Sequence, residues 1–161
     1  MSTTGRIHNF GAGPAVLPLE VVEECRKSLP NLDNSGFGLI EISHRSQTFQ
    51  NIVDSSMEKL RRILSIPEDY TVLYLQGGAS LQFYMSALNL LRENEKVDFL
   101  VTGAWSQKSM KEANRIGDAS ARWDDTENGF ISIPKNGEYS VRKDSLYLHY
   151  TSNNTLFGTQ F

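Results

Sequence analysis

Cysteine is almost missing from this chain. Cys25 is the only one in 161 residues, which excludes an intramolecular disulfide framework and is compatible with a reducing cytosol. Its expected place is as a space filler on a helix. Histidine is nearly as scarce, and His8, His44 and His149 lie far apart in sequence, so no metal-ligand spacing arises. No window approaches 18 apolar residues, so nothing reads as a membrane span. The opening "MSTTGRIHNF" also lacks the apolar stretch of a secretory signal. An excess of one charge is absent too. A net charge of −3 with 22% charged residues leaves no electrostatic footprint for nucleic acid or an anionic membrane. Any anion binding must therefore be local. G-x-x-x-x-G-K-[ST] and G-x-S-x-G do not occur, which excludes a Walker loop and a nucleophile elbow. "GAGPAV" at Gly11 lacks the third glycine of a dinucleotide fingerprint and has no strand before it. There are no repeats or low-complexity tracts.

What remains is an ordinary globular composition, long enough to bury roughly 70% of its unfolded surface as one domain. "NFGAGPAVLP" is Gly- and Pro-rich and reads as an ordered loop. Pro18 suits the first turn of a helix, expected over Leu19–Ser28. "LPNLDNSG" is turn chemistry, and "FGLIEISHRS" is a short extended segment followed by polar residues. Ile52, Met57, Leu60 and Leu64 form a stripe at helical period, so Gln47–Leu64 is expected to be a helix ending before Pro67. "YTVLYLQ" has the character of a buried strand, and residues 81–91 of a helix. "KVDFLVTG" is a second strand and residues 104–116 a second helix. "ASARWDD" and "GFISIP" resemble shorter strands, and "SLYLHYTSN" is an apolar strand ending in a polar loop. Alternation of this kind indicates an α/β fold with a mainly parallel sheet and helices on both faces. The chain stops at "NNTLFGTQF", just past a strand and without a closing helix, so a fragment is expected.

Ligands of open parallel sheets bind beyond the carboxyl ends of the strands. That rule selects three loops, "QGGAS", "TGAWS" and "TSNNT". In "LYLQGGASLQF" an apolar run stops at two glycines and a helix-ready segment follows at once. Glycines let a ligand approach the backbone, and the first amides of a helix have no partners inside it. Ser80 adds a hydroxyl. Two readings stand here: an anion cradle, or a tight turn whose glycines serve packing alone. Trp105, in the second loop, could lie flat on an aromatic ligand or be a core indole, while Trp123 in "ARWDD" reads as structural. "SHRS" presents His44 and Arg45 in an ordered loop. The arginine fork suits phosphate or carboxylate; the plain alternative is a surface arginine paired with Glu41. His149, among Tyr147, Leu148 and Tyr150, reads as a core histidine. A phosphate cradle, a stacking indole, a hydroxyl-bearing loop and an anion-reading arginine together suit a phosphorylated aromatic cofactor with an acidic substrate. Pyridoxal phosphate fits better than a nucleotide, because no ribose-binding acid follows a first βα turn.

Five motifs, "NFGAGPAVLP", "EISHRS", "LQGGASLQF", "TGAW" and "HYTSNNT", fall in the order and spacing of phosphoserine aminotransferases. The sequence resembles the N-terminal part of that family over nearly its whole length. The resemblance implies an incomplete large domain of the fold type I architecture, with residues 1–18 as a substrate-side loop segment and residues 19–161 as the first part of the domain that holds pyridoxal 5'-phosphate. It implies a cytoplasmic homodimer that moves an amino group between L-glutamate and 3-phosphohydroxypyruvate, giving O-phospho-L-serine and 2-oxoglutarate in serine biosynthesis. By the same resemblance Ala79 and Ser80 bind the cofactor phosphate, Trp105 stacks on the pyridine ring and Thr155 touches the phenolic oxygen. His44 and Arg45 read the distal anionic group of the substrate, and Arg45 can serve a neighbouring subunit's cofactor.

The family's Schiff-base lysine, the aspartate that pairs with the pyridine nitrogen and further substrate-binding arginine and histidine residues are expected beyond position 161. None of the seven lysines here sits in a matching motif; Lys108 and Lys111 follow Trp105 on its helix. No catalytic residue is therefore assigned within the chain, and the polypeptide is expected to be inactive alone. Two other readings remain in play: a non-catalytic module that holds a phosphorylated ligand, and another fold type I aminotransferase. "SHRS" weighs against the latter, since a second anion reader at that position is less needed there.

Overall fold

The computed structural model describes residues 5–161; the first four residues of the expected N-terminal segment 1–18 lie outside the described residues. The chain divides between Leu73 and Tyr74 into two compact units.

The first unit carries two helices. α1 spans Leu19–Ser28 and α2 spans Gln47–Leu64, both at the expected bounds, with a 3-10 turn at Leu32–Asn34 between them. Glu20 in the first turn of α1 and Arg26 and Lys27 in its last complement the helix dipole. α2 is bounded by two serines. The Ser46 hydroxyl accepts from the Phe49 amide at 3.2 Å, and Ser65 closes the helix in a left-handed conformation at φ 51°. The Arg61 guanidinium then donates to the carbonyls of Pro67 (3.0 Å) and Tyr70 (2.5 Å), fixing the chain as it leaves the helix. Neither helix holds a buried residue. The stripe on α2 is only partly covered, with Met57 and Leu60 half-buried and Leu64 64% exposed, and Cys25 is exposed rather than filling a core. Periodicity marks an apolar face, but burial needs a second surface, and among the described residues of this unit Leu32 is the one buried hydrophobic residue.

The second unit is a three-stranded parallel sheet. β1 (Lys96–Val101) lies between β2 (Asp118–Asp124) and β3 (Ser145–His149). Helix α3 (Gly78–Leu90) precedes β1, and α4 (Ala104–Ala113) crosses from β1 to β2. Val97, Phe99 and Val101 alternate along β1 onto one face. There they form a core with Ala87 and Leu91 at the end of α3, Ala113 of α4, Ala119 of β2 and Phe130. Strand and helix thus alternate around a parallel sheet, the α/β class that the sequence indicates.

Two expected strands are not strands. Residues 71–75 join no ladder, and Leu73, Tyr74 and Leu75 are more than half exposed. A strand is defined by a paired neighbour, and among the described residues none of β1, β2 or β3 pairs with this segment. Residues 129–134 also join no ladder; they leave a turn at 126–129 and continue as irregular backbone. Phe130 has φ 62° and is buried, its amide donates to the Asp125 carbonyl at 3.1 Å, and the Ser132 amide donates to the Asp125 carboxylate at 2.9 Å. The extended segment expected around residues 37–46 is likewise a series of turns.

One polar node closes the amino-terminal end of the sheet. Asp98 is wholly buried. It accepts from the Arg142 amide at 2.6 Å and from Arg142 Nε at 2.7 Å. Arg142 Nη1 also meets Asp118 at 2.7 Å, and Nη2 donates to the carbonyls of Val97 (2.9 Å) and Asp118 (3.0 Å). The Arg122 Nε lies 3.1 Å from Asp98 Oδ1, but without hydrogen-bond alignment. Arg142, just before β3, therefore pins β1 and β2 together. Its hydrogen bond holds the Asp118 carboxyl below the usual aspartate range.

Candidate functional site

Three loops meet at the other end of the second unit. A cavity of about 370 Å³ is lined by Gly77, Gly78, Ala79, Ser80 and Phe83 from the start of α3, by Trp105 from the start of α4, and by Thr151, Asn153 and Thr155 from the loop after β3. It lies beyond the carboxyl ends of β1 and β3, where open parallel sheets receive ligands. A roomier hollow of about 550 Å³, lined by Glu93, Asn94 and Asn114 to Asp118, sits at the opposite, amino-terminal end of the strands and does not meet that rule.

The start of α3 is bare for a steric reason. Gly77 caps the helix at φ 91° and Gly78 follows at φ 59°, both in the left-handed region where side chains are strained. A Cβ on Gly77 would also run into the Leu81 side chain, 2.6 Å from its Cβ. The first amides of the helix are thereby left open toward Ala79 and Ser80, both of which are exposed. Lys108, three residues beyond Trp105 on α4, donates from Nζ to Ser80 Oγ at 3.0 Å. A cation thus stands beside the open amides. From sequence Lys108 is excluded as the Schiff-base lysine and given no other role, although the i, i+3 spacing from Trp105 puts the two on one helical face.

Trp105 is half-buried and takes part in the cavity wall rather than the core. Its indole Nε1 donates to Thr155 Oγ1 at 3.2 Å, across 50 residues of sequence. The start of α4 is organised by Ser106, which is fully buried. Its hydroxyl accepts from the amides of Thr102 (3.0 Å) and Gly103 (3.1 Å) and donates to the Gly103 carbonyl (2.8 Å). This is half of a capping box, since glycine offers no side chain to complete it. In the loop after β3, Asn154 is 2% exposed and donates to Thr102 Oγ1 at 3.0 Å. The hydroxyl of Thr151 is buried without a hydrogen-bond partner. The residue borders the cavity, but the hydroxyl oxygen itself is turned away from solvent. His149, at the end of β3, stacks on Phe99 at 4.7 Å between ring centres, and burial pushes its imidazole below the usual histidine range.

Four of the six residues singled out in the sequence, Ala79, Ser80, Trp105 and Thr155, therefore border one cavity. His44 and Arg45 belong to the first unit. They sit on the turn that leads into α2, where the Arg45 amide donates to Ser43 Oγ at 3.2 Å and the Ser46 hydroxyl donates to the Ser43 carbonyl at 2.8 Å. Both side chains are exposed. Glu41, the plain alternative partner for Arg45, instead accepts from the Gly38 amide at 2.8 Å. Among the described residues Arg45 forms no ion pair. No cluster of histidine, cysteine or carboxylate side chains able to hold a metal occurs among the described residues.

Comparison with known proteins agrees with this architecture. Residues 7–161 match the family model of the class-V aminotransferases. The phosphoserine aminotransferase of Desulfotalea psychrophila is 46% identical over 156 residues, covering 97% of this chain and 43% of that protein. That of Geobacillus kaustophilus is 44% identical with the same coverage. Among solved structures, phosphoserine aminotransferase from Bacillus circulans subsp. alkalophilus superposes with a TM-score of 0.88 at 37% identity, over 97% of this chain and 43% of that one. The pyridoxal-phosphate-bound phosphoserine aminotransferase from Trichomonas vaginalis superposes with a TM-score of 0.87 at 33% identity, over 97% and 44%. The chain thus spans under half the length of the relatives it matches, and its fold is that of the N-terminal part of the solved enzymes. It belongs to the class-V aminotransferase family.

Proposed function

We propose that this chain is the N-terminal part of a phosphoserine aminotransferase, a pyridoxal-phosphate-dependent enzyme that moves an amino group between L-glutamate and 3-phosphohydroxypyruvate, giving O-phospho-L-serine and 2-oxoglutarate. The observation that carries this reading is the convergence of an open helix N-terminus, an indole and a threonine hydroxyl on one cavity of about 370 Å³. That size is within the roughly 300–1,000 Å³ usual for ligand pockets.

The residues fit pyridoxal phosphate part by part. The α3 amides at Ala79 and Ser80, the Ser80 hydroxyl and the Lys108 ammonium beside it form a cradle for a dianionic phosphate. Trp105 supplies a flat face for the pyridine ring. Thr155, which already holds the indole N–H, offers its hydroxyl to the ring's phenolic oxygen. Bound there, the cofactor supplies the electron sink for amino-group transfer. The task of these residues is to bind it, orient it and shield one of its faces from water. His44 and Arg45 fit the substrate instead. Arg45 lies in an ordered turn with no carboxylate paired to it, which suits a bidentate grip on a phosphate or a side-chain carboxylate. Residues 1–18 then form a substrate-side loop segment and residues 19–161 the first part of the cofactor-binding domain, in a cytoplasmic homodimer.

The test separates the two groups of residues in the full-length chain. Arg45→Ala is expected to raise KM for both the phosphorylated and the dicarboxylate substrate by about 10- to 100-fold, the equivalent of losing a charge-assisted hydrogen bond. Cofactor affinity, read from quenching of the indole fluorescence, stays within about twofold because Arg45 is absent from the cofactor cavity. An equal loss of both affinities overturns the role of Arg45. A wild-type chain that fails to bind pyridoxal phosphate overturns the function.

A further inference from the structure

Gly103 raises a question that its backbone does not answer. Its φ is 171°, extended geometry open to any residue, so conformational freedom is not the reason for a glycine. Space is. A Cβ placed there would lie 2.8 Å from Cγ of Asn154 and still closer to Oδ1. The Asn154 side chain fills the volume that another residue at 103 would need.

Asn154 is anchored from several sides. Its Nδ2 donates to Thr102 Oγ1 at 3.0 Å and to Thr159 Oγ1 at 2.9 Å. Its amide donates to the Thr159 carbonyl at 2.8 Å, and its own carbonyl accepts from Phe157 (3.2 Å) and Gly158 (2.7 Å). Yet Oδ1, pressed over Gly103, is buried without a hydrogen-bond partner. A buried, unsatisfied oxygen is costly. Turning the amide over would bring Oδ1 to the two threonine hydroxyls but would point the bulkier NH2 group at Gly103. The observed orientation favours close approach of the two loops over full satisfaction. Those loops carry the two residues that meet in the cavity wall. Thr155 follows Asn154, Trp105 lies two residues after Gly103, and their 3.2 Å bond joins them.

We propose that Asn154 is a positioning residue: wedged over Gly103, its carboxamide sets the separation between the two loops and thereby holds Trp105 and Thr155 in register around the cavity. The reference to a cofactor rests on the function proposed above; the statement about the indole does not.

The test therefore uses one readout without cofactor and one with it, in the full-length chain. Without cofactor, the Trp105 indole Nε1 proton, assigned with Trp105→Phe, is expected to shift and lose protection from exchange in Asn154→Ala. With cofactor, the dissociation constant for pyridoxal phosphate is expected to rise at least about 10-fold, measured well below the unfolding midpoint so that all molecules are folded. Gly103→Ala, whose methyl collides with the carboxamide, is expected to do the same. The Gly103→Ala, Asn154→Ala double variant is expected to be no worse than Asn154→Ala alone, because both act through one contact. A folded Asn154→Ala with an unchanged indole proton overturns the proposal, as do additive losses in the double variant. If Asn154→Ala does not fold, Thr102→Val and Thr159→Val each remove one anchor while keeping the wedge, and an unmoved indole proton in both overturns it. If the wild type binds no pyridoxal phosphate, the cofactor reading fails while the indole proton still decides the role of Asn154.

Discussion

Ten hydrophobic side chains are buried among the described residues, and nine of them, from Ala87 to Phe130, belong to the second unit; Leu32 is the tenth. The units differ in what holds them. In the first, α2 is fixed by groups close in sequence: Ser46 at one end, Ser65 at the other, and Arg61 reaching six and nine residues ahead. In the second, contacts span tens of residues, as with Arg142 on Asp98, 44 residues apart, and Trp105 on Thr155, 50 apart. Local bonds near the surface contribute little each, whereas a packed core is cooperative. The candidate anion reader Arg45 thus stands on a locally defined turn, and the candidate cofactor cavity on a cooperatively folded sheet. Binding groups on loops carried by a rigid scaffold are the usual arrangement.

The comparison breaks most visibly at Arg142. Replacing it with leucine leaves the fully buried Asp98 carboxylate with Arg122 as its remaining ion-pair partner and should cost about 3 kcal/mol, the lower end for removing one partner of a buried pair. Both tryptophans of these 161 residues, Trp105 and Trp123, lie in the second unit, so their fluorescence during urea unfolding reports that unit. The indole transition is expected at much lower urea in Arg142→Leu, and Asp98→Leu introduced with it should recover part of the loss. An unmoved indole transition would show that the node is incidental to the sheet.

A smaller, confined effect is expected at Ser46. Ser46→Ala removes the acceptor for the Phe49 amide and should cost about 1 kcal/mol, typical of an N-cap. Hydrogen exchange at Phe49 and the first turn of α2 is expected to speed up while the indole transition of the second unit stays in place. Should the indole transition fall as well, the first unit is not held on local terms.

How legible these features were in the sequence follows the same division. The approximate bounds of α1 and α2 were readable, because Pro18, Pro67 and an apolar stripe at helical period are local signals. The loops bordering the cavity were readable as well, since glycine pairs, hydroxyls and a tryptophan after apolar runs reflect what the carboxyl ends of parallel strands require. Other features depended on partners. Residues 71–75 have strand composition but pair with no strand among the described residues, and the α2 stripe has an apolar face that is only partly covered. Residues 129–134 have strand composition too, but the Phe130 and Ser132 amides are spent on Asp125 instead of on a ladder. Lys108 and Asn154 act through groups 28 and 52 residues away, and no local pattern encodes such contacts. The same holds for Asp98: inside an apolar strand its charge reads as a misfit until Arg142 is placed beside it.

The smallest expected effect sharpens the comparison by pH. Burial lowers the pKa of His149 from 6.5, so the folded state favours neutral imidazole and the unfolded state binds the proton more readily. Stability from this group is fully present above about pH 6.5 and is lost as pH falls through the lower, folded-state value. The lowered carboxyls of the second unit act in a separate range. Asp118, held down by Arg142, Asp125, held down chiefly by Asn128, and Asp144, held down by Lys96, contribute stability above their ordinary value of 3.8 and lose it only below that. Between about pH 6.5 and 4, the decline in the urea midpoint of the indole transition is therefore assigned to His149. His149→Gln, which keeps a polar group near Phe99 but cannot titrate, is expected to flatten that range and leave the steeper fall below pH 4 intact. A variant whose midpoint still declines like wild type from pH 6.5 would mean that His149 charges in the fold without penalty, and that its stacking on Phe99 is looser than 4.7 Å between ring centres implies.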